Sequence, residues 1–175
     1  MGKIASRKPV KLIIGFIFKD DADFEKARRI LLRRFGQIDF QSQPLSFDRT
    51  NYYKDEMGDS LKRIFVSFKR LIYPQDLTAI KNFTNKIESR LSRLGKRCVN
   101  IDPGYVDLPK LVLASTKDYV HRIYLNKGIY AELTLLFQGK SFSPWQWTYP
   151  DYRSSEYIQT FNGIRELLAK QLKEY

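Results

Sequence analysis

The chain has 175 residues, 43% hydrophobic and 14% aromatic, which suits one folded domain with a sizeable core rather than a disordered segment. A single cysteine, Cys98, and a single histidine, His121, exclude an intramolecular disulfide, a four-ligand Cys/His zinc site and any phosphoesterase that needs two histidines. Thirty-one Lys and Arg against 19 Asp and Glu leave a net charge of +12, which attracts polyanions or else serves only solubility.

In chain order, Met1-Gly2-Lys3-Ile4-Ala5-Ser6 matches the short N-myristoylation pattern, one that recurs by chance. Residues 1–10 read as a basic arm, with Lys3, Arg7, Lys8 and the adjoining Lys11 in solvent. Lys11–Phe18 is a nearly continuous apolar run and predicts a central strand. Asp20–Phe35 predicts a helix: Asp20 or Asp21 caps it, Phe24, Ala27, Leu31 and Phe35 form its buried stripe, and Gly36 ends it. Its opposite face is arginine-rich. Ile38–Phe47 predicts a second strand interrupted near Pro44, as at an edge or bulge. Leu61–Phe68 predicts a third strand. Pro74–Leu94 predicts a second helix, with Leu77, Ile80, Thr84, Ile87, Leu91 and Leu94 at helical spacing. Arg97–Val106 supplies a fourth strand, and Ser155–Lys173 a terminal helix. The order β-α-β-β-α-β corresponds to an α+β fold with a ferredoxin-like split βαβ core, extended by a C-terminal hairpin and helix in one domain spanning residues 1–175.

The densest run of special residues is Asn100–Glu132. Asp102-Pro103-Gly104 has the type II turn pattern. Asp107 suits a helix N-cap and Pro109 a first helical turn, so Lys110–Ser115 leans towards a short helix, although six apolar-rich residues also suit a buried strand. Val120–Leu125 and Ile129–Leu135 flank Asn126-Lys127-Gly128, the pattern of a three-residue hairpin loop. Pairing Leu125 with Ile129 sets Tyr124 opposite Tyr130, Ile123 opposite Ala131, Arg122 opposite Glu132 and His121 opposite Leu133. His121, Ile123, Leu125, Ala131 and Leu133 then share a core face. Arg122, Tyr124, Tyr130 and Glu132 share a polar one.

Two loops stand out from the regular elements. Asp48–Ser60 is long for a strand connection and offers Tyr52, Tyr53, Asp55, Glu56 and Asp59. Ser141–Ser154 carries Trp145, Trp147, Tyr149, Asp151, Tyr152 and Arg153; its aromatics suit stacking on a base or sugar, although covering the end of the core is the favoured reading.

The strings DPGY, KLVLASTKDY, HRIYL, GIYAE, WTYPDYRS and the upstream FVSF resemble a bacterial family known only as domain of unknown function 4416. The resemblance runs from Pro9 to the last helix. It implies a bacterial, cytoplasmic context and carries no activity, cofactor or catalytic residue with it.

The remaining chemistry is bounded by what is missing. The sequence has no P-loop, no dinucleotide fingerprint around Gly15 and no G-x-S-x-G elbow. No apolar run approaches a membrane span and no signal-peptide pattern precedes the first strand, so the expected setting is cytoplasmic. No cofactor is expected, although Asp48, Asp102 and Glu132 have the oxygen chemistry that Mg2+ takes. The leading expectation is a module that binds a phosphate-bearing partner, RNA or a nucleotide, through Ser115, Thr116, Lys117, Arg122, Tyr124, Tyr130 and Glu132. An enzyme acting on a small anionic substrate, with His121 and Asp102 as catalytic candidates, is the alternative. A scaffold subunit without a pocket is the third.

Overall fold

Strand β1 (Val10–Phe18) is buried at every position, as an unbroken apolar run demands of a strand covered on both faces. The computed structural model describes residues 2–3, 6–48 and 53–174, so Met1, Ile4, Ala5 and Tyr52 lie outside the described residues. After β1 come α1 (Asp21–Phe35), β2 (Ile38–Gln41), β3 (Leu45–Phe47), α2 (Lys54–Met57), β4 (Leu61–Ile72) and α3 (Leu77–Leu91). Then follow β5 (Val99–Val106), β6 (Lys110–Ser115), β7 (Arg122–Asn126), β8 (Ile129–Gln138), β9 (Ser141–Pro144) and α4 (Ser155–Gln171). The strands form one open antiparallel sheet in the order β2-β4-β1-β5-β6-β8-β7, with β3 also beside β4 and β9 also beside β8. The chain is thus a mixed α/β protein with a large antiparallel sheet.

Side-chain alternation along β1 assigns the layers. Leu12, Ile14, Phe16 and Phe18 meet Phe24, Ala27, Leu31 and Phe35 of α1 and Ile80 and Ile87 of α3. Ile13 points the other way, with Phe65, beneath Tyr157, Phe161, Ile164 and Leu168 of α4. Two helices therefore cover one face and α4 covers part of the other. Helix α1 starts where the Asp20 side chain accepts a hydrogen bond from the Ala22 amide, and it ends at Gly36, whose φ of 86° favours glycine. No helix among the described residues is long and apolar enough to cross a membrane.

Several expectations are corrected. Asp102-Pro103-Gly104 lies within β5 and makes no turn; the turn comes later, where Asp107 and Lys110 exchange backbone hydrogen bonds. Lys110–Ser115 is strand β6, because β5 and β8 flank it and complete its ladders. The hairpin pairs Arg122 with Glu132, Ile123 with Ala131 and Tyr124 with Tyr130 as expected, but Asn126 rather than Leu125 faces Ile129, across an irregularity after Tyr124. Lys127 and Gly128 form a two-residue turn with φ of 49° and 75°. The two faces of β7 are reversed: Ile123 is 72% exposed, whereas Arg122 and Glu132 are buried. An ion pair took the interior because β7 is an edge strand whose inner side closes a polar cleft. His121 precedes β7 in a turn and does not face Leu133. Lys11 is fully buried, held by Asp39, Gln171 and the Phe68 carbonyl, so it is not part of a solvated arm; Arg7 pairs with Asp107 but stays exposed. Strand β9 was not anticipated in the 141–154 segment.

Candidate functional site: a cleft where two strands part

Strand β5 pairs with β1 along its whole length but with β6 only from Gly104 to Val106. Two adjacent residues explain the change. A Cβ on Gly104 would lie 2.4 Å from the Val112 carbonyl oxygen, so glycine permits the close approach that zips the strands there. Pro103 has no N–H to give, and alternation places its nitrogen on the β6 side, as it does the Ile101 amide. Beyond this point the strands diverge. Helix α3 reaches into the gap and takes the place of the missing strand: Glu88 accepts from the Ile101 amide, and Lys81 Nζ donates to the Ile101 carbonyl at 3.1 Å.

The gap opens into a cleft of about 620 Å³. Arg63, Lys81, Glu88 and Asp102 line its floor; Ser115, Thr116, Lys117, Arg122 and Glu132 form one wall, and Tyr53, Tyr149 and Tyr152 stand on the others. Alternation along β4 and β5 places Arg63, Phe65, Asn100 and Asp102 on the face shared with Gly15. Gly15 makes room there: a Cβ would meet the Phe65 ring at 3.0 Å and Arg63 Nη1 at 3.5 Å.

Arg63 is the centre of the floor. Its Nη1 donates to Asp102 at 3.3 Å, and Nη2 to Tyr152 Oη at 3.2 Å and Asp151 at 3.5 Å. The guanidinium also lies 5.0 Å from the Phe65 ring centre and 5.4 Å from that of Phe47, within cation–π range. Its Nε is buried without a partner among the described residues. Asp102 accepts from Asn100 Nδ2 at 2.7 Å and lies 3.6 Å from Lys81 Nζ. Burial pushes the Asp102 carboxyl up, but Lys81, Arg63 and the hydrogen bonds from Arg63 and Asn100 outweigh it and hold it below the usual carboxylate range. Asp151 and Glu88 go the other way, raised chiefly by burial. The carboxyl groups of the cleft are thus shifted in opposite directions from their ordinary values.

The opposite wall is built differently. Arg122 Nε donates to Glu132 at 2.8 Å, Nη1 to Ser115 Oγ and the Lys117 carbonyl, each at 2.9 Å, and Nη2 to Tyr149 Oη. Tyr119 lies against the guanidinium, 4.5 Å away. His121 Nε2 is 3.3 Å from the same Glu132 oxygen that Arg122 uses, and its ring stacks on Trp147 at 5.2 Å and 7°. The other Glu132 oxygen is buried without a partner among the described residues.

Of the residues singled out from sequence, Asp102, Ser115, Thr116, Lys117, Arg122 and Glu132 all meet in the cleft. Tyr124 and Tyr130 instead pack edge to face, 5.2 Å apart, on the hairpin. His121 sits behind Glu132 rather than among the lining residues. No group of three or more His, Cys, Asp or Glu among the described residues is spaced to hold a metal ion. Sequence reasoning passed over Arg63, Lys81 and Glu88 as site residues. A signal existed: Lys81 and Glu88 are charged residues seven apart on the buried stripe of α3, and Arg63 interrupts an apolar strand.

No curated protein and no solved structure matches the chain. The family described as domain of unknown function (DUF4416) matches residues 8–168, and the chain belongs to that family.

Proposed function

We propose that the cleft between β5 and β6 binds a small phosphate-bearing molecule with hydroxyl groups, of the size of a nucleotide or sugar phosphate. The observation that carries this reading is Asp102, ionised on the floor between two cations, facing a cavity with tyrosines on its walls. An ionised carboxylate accepts hydrogen bonds from sugar hydroxyls, and Lys81 with the Ser115–Lys117 corner supplies donors for an anionic group. Tyr53, Tyr119 and Tyr149 offer ring faces to a base or sugar. Asp102 as base and Asp151 as acid would equip the cleft for proton transfer on such a substrate, which favours an enzyme over a scaffold. The frame, in our reading, is a ferredoxin-like split βαβ unit: the order β2-β4-β1-β5, with α1 and α3 on one face, supports it.

Isothermal titration with nucleoside monophosphates, nucleoside diphosphates and sugar phosphates tests the proposal. Saturable binding that Asp102→Asn and Thr116→Val both weaken is the expected result. Absence of saturable binding by every compound at millimolar concentration overturns it. Phosphorus and proton NMR of the bound compound over time then separates turnover from binding alone.

A further inference from the structure

We propose that the outer face of the α1/α3 layer binds the phosphate backbone of a nucleic-acid duplex without reading its bases. Buried Lys11, Arg63, Lys81 and Arg122 are matched by buried Asp23, Glu88, Asp107 and Glu132, so the net charge of +12 is carried outside the core. Much of it gathers on one face. Helix α1 exposes Lys26, Arg29, Arg33 and Arg34, and α3 exposes Lys86 and Arg90. The two helices run antiparallel, since Arg93 after α3 bonds to Asp23 near the start of α1, while Phe35 at the end of α1 packs on Phe83 in the first half of α3. Their cations therefore form one band two helices wide.

Among the described residues, only Lys26 of these cations is paired, with Asp23. The carboxylates of α1 are committed, Asp21 to Lys62, Asp23 to Lys26 and Arg93, and Glu25 to Arg28, and Glu88 of α3 is buried at the cleft. Arg33, Lys86 and Arg90 enter no ion pair among the described residues. Arginine forks match pairs of phosphate oxygens, and cations one or two helical turns apart are spaced on the scale of successive phosphates. The chemistry also selects among polyanions. Among the described residues, the exposed large hydrophobic side chains lie outside α1 and α3, so this face offers little ring surface on which the bases of a single strand would stack. The apolar stripes within α1 and α3 are spent in the core, and Leu94, which the spacing had placed on the α3 stripe, lies past the helix as a single exposed side chain, too little to enter a bilayer.

Fluorescence anisotropy with a labelled RNA duplex, a DNA duplex of the same sequence and the corresponding single strand, alongside flotation with phosphatidylserine vesicles, tests the proposal. Both duplexes should bind, with log affinity falling against log salt by about 0.9 for each phosphate neutralised. The triple variant Arg33→Gln, Lys86→Gln, Arg90→Gln should weaken duplex binding about 10-fold or more at low salt and flatten the slope by roughly three contacts. Glutamine keeps helix propensity at these exposed positions, and Arg33→Gln alone gives the one-contact step should the triple variant not fold. Unchanged duplex affinity in the folded variant overturns the proposal, as does tighter binding of the single strand or the vesicles than of either duplex. Asp102→Asn should leave duplex binding unchanged, so failure of the cleft reading is distinguishable.

Discussion

Arg63 and Arg122 are both buried arginines on the lining of one cleft, yet they are held in opposite ways. Arg122 is densely bonded: its partners are a carboxylate, a hydroxyl, a carbonyl and a phenol, most within 2.9 Å. Arg63 is caged by rings, its hydrogen bonds run from 3.2 to 3.5 Å, and its Nε has no partner among the described residues. A charge-assisted network in which four of the five guanidinium N–H donors have partners fixes a wall in place. A loosely bonded guanidinium between two carboxylates leaves hydrogen-bonding capacity that a ligand can draw on. Under the proposed reading, Arg122, one of the anion-ligand candidates from the sequence, chiefly holds the wall of the cleft, and Arg63 is the arginine nearer the chemistry.

Stability measurements can break this contrast. The largest effect expected is from Arg122→Ala, which leaves Glu132 buried with no guanidinium beside it and should cost about 3–5 kcal/mol in urea unfolding. A cost under about 1 kcal/mol would show the wall to be held by other means. Arg63→Met keeps the ring contacts and much of the volume, and should cost less, roughly 1–3 kcal/mol, while abolishing cleft binding. Equal costs for the two variants would erase the distinction. Gly15→Ala crowds the Phe65 ring and the Arg63 guanidinium; thermal unfolding should register a loss of about 1–2 kcal/mol, with binding weakened more than a stability change of that size explains.

The smallest effect is in pH dependence, and its sign differs between the two carboxylates of Arg63. The folded pKa of Asp102 lies below the ordinary value of 3.8, so the stability it contributes is present above that value and is lost as pH falls through the depressed one. Asp151 is raised above 3.8, so between the ordinary and the raised value the folded chain holds more proton than the unfolded chain, and stability falls as pH rises through that window. Urea unfolding across the acid range should therefore show Asp102→Asn flattening the acid-side loss and Asp151→Asn flattening a loss in the opposite direction. Slopes of the same sign in both variants would remove the proposed acid and base assignment.

Much of the fold was legible. The capping Asp20, the stripe from Phe24 to Phe35 and the apolar run of β1 each obey a local rule that the structure repeats. Segments read wrongly were those whose conformation depends on a neighbour. Pro103-Gly104 has turn chemistry, yet β1 pairs across it and β6 approaches so closely that only glycine fits. Lys110–Ser115 is strand because two strands bracket it, which six residues cannot announce. Within the site, Asp102, Ser115–Lys117, Arg122 and Glu132 were found because their residue types cluster in sequence. Arg63, Lys81 and Glu88 were not, because they arrive from β4 and α3.

The sequence by itself determined the periodicities, and with them which residues could be helix and which strand, along with the cross-strand partners of Arg122, Ile123 and Tyr124. It also determined a cationic surplus and the poverty in Cys and His that rules out whole chemistries. Only the tertiary structure decided which face of β7 is inside. Alternation defines two faces but not which of them meets the core, and here the cleft claimed the Arg122–Glu132 side and left Ile123 in solvent. Only the tertiary structure, likewise, decided that β5 and β6 part. A missing N–H in one strand becomes an opening when the next strand turns away and a helix supplies Lys81 and Glu88 to satisfy the backbone left behind.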